Sequence, residues 1–142
     1  MSSLEVSRLS DNEFKSWDSF VAQHPRGTIY HQTVWSQIIR QAFGHESFYL
    51  YATDHTKAIV GVLPAIRIKS FMFGDFMVSM PYVNSGGAIA NDESIEQKLM
   101  SALSQLAQET GVTHIEFRDD HDRPSLGPQR TDKVTMKLQL AE

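Results

Sequence analysis

The sequence predicts an α+β domain whose mixed, mostly antiparallel sheet is flanked by helices. Three observations carry this. Two amphipathic segments lie near the start of the chain. A run of alternating segments separated by tight turns follows, and such runs read as antiparallel hairpins rather than parallel crossover units. A long helical pattern and further alternating segments come last, so helices are available to cover the sheet. The 142 residues suit one domain, and residues 1–142 are taken as one.

Each element has a local reason. Leu4, Val6 and Arg8 alternate as a short strand. Ser10 and Glu13 match a capping box, and Phe14, Trp17 and Val21 follow at helical spacing, so Asp11 to about Gln23 reads as a helix. His24-Pro25-Arg26-Gly27 stops it. Thr33 is the expected N-cap of a second helix whose apolar face is Trp35, Ile38, Ile39 and Ala42, with Gly44 as its stop.

Phe48 to Thr53 reads as a strand, Asp54 to Lys57 as a hairpin turn, and Ala58 to Met72 as one long strand. Pro64 lacks a ladder donor, so a bulge or an edge is expected there. Phe73-Gly74-Asp75 turns the chain and Phe76 to Met80 returns. Asp92 caps a helix carrying Ile95, Leu99, Ala102, Leu103 and Leu106 on one face, and Gly111 ends it. Thr113 to Arg118 and Val134 to Leu140 alternate as the last strands, around a polar loop from Asp119 to Arg130.

Composition excludes several functions. The net charge of −4 gives no general attraction for nucleic acid, and no basic cluster is visible. The absence of cysteine removes disulfides and thiolate metal sites and fits a reducing, cytoplasmic setting. The first residues, MSSLEVSRLSDNEF, lack the basic and apolar regions of a signal peptide. The run Phe71 to Met80 is too short to span a bilayer, so no transmembrane segment is expected. No HExxH motif, no GxSxG elbow, no Walker loop and no dinucleotide fingerprint occurs. The run Arg118 to Arg123 offers carboxylates to a hard cation, but its own arginines compete for them, so no metal site is assigned.

Two stretches carry candidate binding chemistry. In TIYHQTVW, Tyr30 and His31 stand just before a helix N-terminus, where an anion could dock. The ordinary alternative is that Tyr30 packs and His31 satisfies a backbone carbonyl. In SMPYVNSGG, Pro81, Asn84 and the glycines suit a strand exit. That exit does not account for Tyr82, and Gly86 and Gly87 would let a ligand approach bare backbone N–H groups. Ser79, Ser85 and His31 are also available to meet in space, although no motif requires it.

The ordered set YHQTVW, VGVLPAIRIKS, FGDFMVSMPYVNSGG and IEFRDD resembles the N-terminal half of the FemAB-type acyltransferases. The likeness runs from about Trp17 to Leu140 and is nearest to FemAB-related proteins found beside exopolysaccharide and exosortase (PEP-CTERM) export systems. It implies a GNAT-like fold (acyl-CoA N-acyltransferase-like), with the chain as the first of two such domains. It further implies an acyl or aminoacyl transferase acting on a cell-envelope or polysaccharide precursor, such as one of peptidoglycan. A second GNAT-like domain or a homo-oligomer would be the partner. Aminoacyl-tRNA or acyl-CoA would be the donor for a full-length protein, with no cofactor held by this chain. The positions that match are Tyr30, His31, Trp35, Tyr82, Asn84, Gly86, Gly87 and Arg118, read as substrate-binding; the catalytic base stays unassigned, with His31 as its best candidate. The chain departs from the fold's acyl-CoA users in lacking an RxxGxG/A loop, since Gln129-Arg130 has no following glycines. The alternatives left open are a non-catalytic binding or assembly module and a small acetyl-CoA-dependent N-acetyltransferase.

Overall fold

A computed structural model describes residues 3–72, 74–80 and 87–118. The order is β1 (Glu5–Arg8), α1 (Phe14–Gln23), α2 (Val34–Phe43), β2 (Glu46–Ser47), β3 (Leu50–Thr53), β4 (Ile59–Leu63), β5 (Ile66–Ser70), β6 (Gly74–Val78), β7 (Ile89–Ala90), α3 (Glu93–Thr110) and β8 (Ile115–Glu116). Short 3-10 turns, Asp11–Glu13 and Ile29–His31, precede α1 and α2. The strands form two four-stranded sheets, β1-β3-β4-β7 and β2-β5-β6-β8. All pairs are antiparallel except β6 with β8.

The helix boundaries follow local chemistry. The Glu13 carboxylate accepts from the Ser10 N–H at 3.1 Å, the expected return bond of a capping box. The Asp92 carboxylate accepts from the Ile95 N–H at 3.0 Å and caps α3. Gly44 and Gly111 end α2 and α3 at φ 69° and 78°, values a side chain makes costly. Thr33 departs from expectation: it does not cap α2 with its own hydroxyl. Instead both its N–H and its hydroxyl donate to Asp18 on α1, at 2.8 and 2.7 Å. That carboxylate ties the two helices together.

The anticipated single strand from Ala58 to Met72 is broken. Leu63 pairs with β3 in one sheet, and Ile66 pairs with β2 and β6 in the other. Pro64 lies at the break, fully buried and without an N–H for either ladder. The strand read as Phe48 to Thr53 begins at Leu50 as β3, and the short β2 before it, which was not anticipated, pairs with β5 in the other sheet. Periodicity does not report a change of sheet. β6 starts at Gly74, earlier than read, and β7 was not anticipated; two residues are too few to show a period. Ile38 and Ala42 face outward, and Ser36 takes a buried place beside Ile39.

Two cores sit on opposite faces. One joins α3 (Ile95, Leu99, Leu103, Ala107) to Leu50, Leu63 and Met77. The other joins α1 and α2 (Trp17, Val21, Ile39) to Tyr49, Val62, Ile66, Met80 and Ile89. Gly61 lets α3 approach: a Cβ there would stand 2.7 Å from Ile95 Cγ2 and 2.9 Å from the Ala90 Cβ. The expected strand Val134 to Leu140, the loop Asp119 to Arg130 and Phe73 lie outside the described residues.

Candidate functional site

The candidate site starts where the sheet comes apart. β5 and β6 stay paired as far as Ile66 with Val78, and pairing resumes with Val62 and Ile89. Three residues on one side, Leu63 to Ala65, therefore correspond to ten on the other, Ser79 to Ala88. The flanks of this excursion are ordered by specific bonds. Met80 takes φ 56°, a left-handed turn unusual for a non-glycine residue. Its sulfur accepts from the Tyr49 hydroxyl at 3.1 Å. Burial pushes the Tyr49 phenol well above its ordinary range, with the Asp18 charge adding to the effect, so it remains a donor.

On the other edge, β6 runs parallel to β8, and their ladder changes character at its carboxyl end. The Ser79 N–H still donates to the Glu116 carbonyl at 3.0 Å. A regular parallel ladder would next bring the Arg118 N–H to the Ser79 carbonyl. Here that N–H donates to the Ser79 hydroxyl instead, at 2.7 Å. A side chain has replaced a rung. Ser79 is fully buried.

The far flank is held by two histidines. His31 Nε2 donates to the Gly87 carbonyl at 2.9 Å, and His24 Nε2 donates to the Ala90 carbonyl at 2.9 Å. Their Nδ1 atoms accept from backbone N–H groups, His31 from Thr28 at 3.3 Å and His24 from Arg26 at 3.1 Å. A carbonyl partner on one nitrogen and an N–H partner on the other require the proton on Nε2 in both rings. Between them Arg26 pairs with Glu96 of α3, whose side chain is buried. The Trp17 indole N–H donates to the His31 carbonyl at 2.7 Å and stacks on Tyr49 at 5.1 Å.

The structure brings some of the anticipated residues together. His31 meets Gly87 directly. Tyr30 packs on Trp35, ring centroids 5.5 Å apart. Trp35 in turn packs against the cluster holding Met80, and its indole N–H is buried without a hydrogen-bond partner. Arg118 forms the replaced rung through its backbone, while its guanidinium bonds Glu116 at 2.9 Å. Tyr82, Asn84, Ser85 and Gly86 lie outside the described residues. His31, the best candidate base, has Nε2 on the Gly87 carbonyl and Nδ1 against the hydroxyl and the N–H of Thr28, at 2.8 and 3.3 Å. The suggested meeting of Ser79 with His31 is not made, since their hydrogen-bond partners are Arg118, Gly87 and Thr28. His24 and Arg26 were read only as a helix stop; no motif marks a histidine whose partner is a carbonyl 66 residues away. Among the described residues, no group of three His, Cys, Asp or Glu side chains could hold a metal, and no helix is long and apolar enough to cross a membrane.

Comparison with solved structures places this architecture among the GNAT acetyltransferases. A GNAT family acetyltransferase from Staphylococcus aureus superposes with a TM-score of 0.61 at 10% identity, covering 96% of this chain and 99% of that one. The aminoglycoside N-acetyltransferase AAC(6')-Iy, solved in complex with CoA, gives 0.61 at 14% identity, covering 98% and 96%. An acetyltransferase from Trypanosoma brucei gives 0.61 at 16% identity, covering 97% and 100%. The fold is therefore GNAT-like, as the sequence predicts. No protein-family model matches the chain, and no curated protein matches it.

Proposed function

We propose that this chain is an acyltransferase domain that positions an amine acceptor against an activated acyl group at the carboxyl ends of β6 and β8. The observation that carries this is the replaced rung at Ser79 and Arg118. The Ser79 hydroxyl takes the Arg118 N–H there, and in this reading backbone N–H groups near that rung act as donors to a ligand carbonyl. The amine nitrogen would attack the acyl carbon, the carbon–nitrogen bond would form, and the bond to the donor's leaving group would break. The amine's proton passes to water or to a base. The chain's own residues supply position: His31 and His24 hold Gly87 and Ala90 through their carbonyls, the Tyr49 hydroxyl holds the Met80 sulfur, and Tyr30 packs on Trp35. Tyr82, Asn84, Gly86, Gly87 and the Arg118 guanidinium are the further candidates for acceptor contacts.

The finer reading is a FemAB-like half that handles a cell-envelope or polysaccharide precursor beside a second GNAT-like domain. The start of α3 favours it over an acyl-CoA enzyme. A nucleotide pyrophosphate is best held by free N–H groups at a helix N-terminus. In this chain the Asp92 carboxylate already takes the Ile95 N–H, and Glu93 and Glu96 add charge in the first turn. Those residues do not fit a pyrophosphate. The second reading, a small N-acetyltransferase, is favoured by the match over nearly the whole length of the CoA-bound AAC(6')-Iy chain. Titration calorimetry with acetyl-CoA separates the two. The first reading expects no measurable heat of binding; saturable binding would overturn it in favour of the second. Loss of precursor binding on Tyr82→Ala and Asn84→Ala would support the acceptor assignment in either case.

A further inference from the structure

The β5–β6 ribbon ends in Phe71 and Met72, which are 106% and 82% exposed. Both follow the last paired residues, Ser70 with Gly74, so they stand at the tip of the ribbon rather than on its faces. Two adjacent large apolar side chains in open water serve neither core. Isolated exposed apolar residues are ordinary, but a convex apolar tip is a feature of surfaces that enter another phase.

The charges of the ribbon point to the kind of phase. Asp75 is matched by Arg67, which donates from Nε at 2.8 Å and from its terminal nitrogen at 2.6 Å. Lys69 is exposed and stands across from the same Asp75, so Arg67 and Lys69 against one Asp75 leave the described ribbon with one positive charge in excess, on a chain whose net charge is −4. An apolar tip above a cation is complementary to an anionic lipid interface. The ring and thioether enter the headgroup–acyl boundary, and the ammonium stays level with the phosphates. A folded partner fits less well. The two side chains offer roughly 300–400 Å², against about 800 Å² per partner in a stable protein interface. A rigid partner would also need a pocket deep enough for a protruding tip, whereas lipid deforms around it.

We propose that the β5–β6 tip is a peripheral attachment point for anionic membrane surfaces, with Phe71 and Met72 inserted and Lys69 on the headgroups. The proposal is independent of the acyltransferase reading. It is tested by sedimenting the protein with vesicles of phosphatidylglycerol and phosphatidylcholine in equal parts, and with vesicles of phosphatidylcholine alone. The protein is expected to sediment with the first and far less with the second, and added salt should release it. Phe71→Ser with Met72→Ser should lower partitioning by about tenfold or more, and Lys69→Glu by about fivefold or more. Circular dichroism should show both variants folded, since the altered side chains are exposed. Failure to sediment with either vesicle overturns the proposal, as does a double variant that sediments like the parent. So does a dimer in light scattering that the double variant abolishes without any vesicle binding, which would assign the tip to a second copy of the chain.

Discussion

The Arg118 N–H reaches the Ser79 hydroxyl at 2.7 Å where a parallel ladder would use the Ser79 carbonyl. That substitution joins the fold to the proposed site, because it ends β6–β8 pairing while leaving no N–H stranded. Ser79→Ala should therefore destabilise the domain by about 1–2 kcal/mol, the cost of taking this acceptor from a part-buried N–H. Urea titration measures it. Ser79→Thr keeps the hydroxyl and should recover part of the loss, less whatever its extra methyl costs in a fully buried place. An alanine variant as stable as the parent would remove the rung from the account.

His31 and His24 make matched bonds to Gly87 and Ala90, the residues on which the chain returns to the sheet. His31 is buried, so His31→Ala leaves the Gly87 carbonyl without this donor and the Thr28 N–H without this acceptor. A loss of about 2–4 kcal/mol follows from two unmatched groups and a cavity. His24 is only partly buried, and His24→Ala should cost less. Equal costs would mean that burial does not set the difference.

Much of the fold was legible because its signals are local. Asp92, Gly44 and Gly111 act within a turn of their own position, and α3 repeats its apolar residues over five turns, so noise averages out. The break at Pro64 was not legible, because both halves of that strand alternate in the same way and only the partner changes, and β2 was missed because two residues show no period. The site divides along the same line. Tyr30, His31, Trp35 and Gly87 stood out by residue type at a helix mouth and a strand exit. Ser79, His24 and Arg26 act through partners 39, 66 and 70 residues away, and a pattern of neighbours carries no trace of those.

Gly61 is a packing requirement rather than a turn. Its added Cβ would meet Ile95, Ala90 and Leu99 at 2.7, 2.9 and 3.0 Å. Two of these lie on α3 and one on β7, so relief for one contact tightens another. Gly61→Ala should cost about 1–3 kcal/mol by overpacking. Hydrogen exchange should locate the loss in β7 and the first turns of α3. A neutral variant would mean that α3 is less closely seated than described.

Acid should weaken the fold through three carboxylates. The Arg67 guanidinium holds Asp75 below its ordinary value of 3.8, the Ser94 hydroxyl and then the Ile95 N–H hold Asp92 below the same value, and the Thr56 hydroxyl does this most for Asp54. Each folded-state value is depressed, so its contribution is complete above the unfolded value and is lost as pH falls through the folded one. Urea midpoints should be flat above about pH 5 and fall below about pH 4. In Asp75→Asn the parent stability at neutral pH should drop and part of the acid slope should vanish. A variant with the same slope would exclude Asp75 as a contributor.

The two tryptophans allow one chemical change to be read against two environments. Trp17 donates to the His31 carbonyl at 2.7 Å and is fully buried, whereas the Trp35 N–H is buried with no partner. Trp17→Phe deletes a made bond and leaves a carbonyl short of a donor, so about 2 kcal/mol or more should be lost. Trp35→Phe deletes a donor whose desolvation was never repaid, and this offsets the smaller ring, so stability should change by less than about 1 kcal/mol. If the acceptor site is as proposed, the unpaired N–H awaits a substrate oxygen. Trp35→Phe should then raise KM for the acceptor while kcat holds, because a contact present before and during the reaction is lost equally from both states. A destabilised Trp35→Phe with unchanged KM would show instead that the indole is only packing.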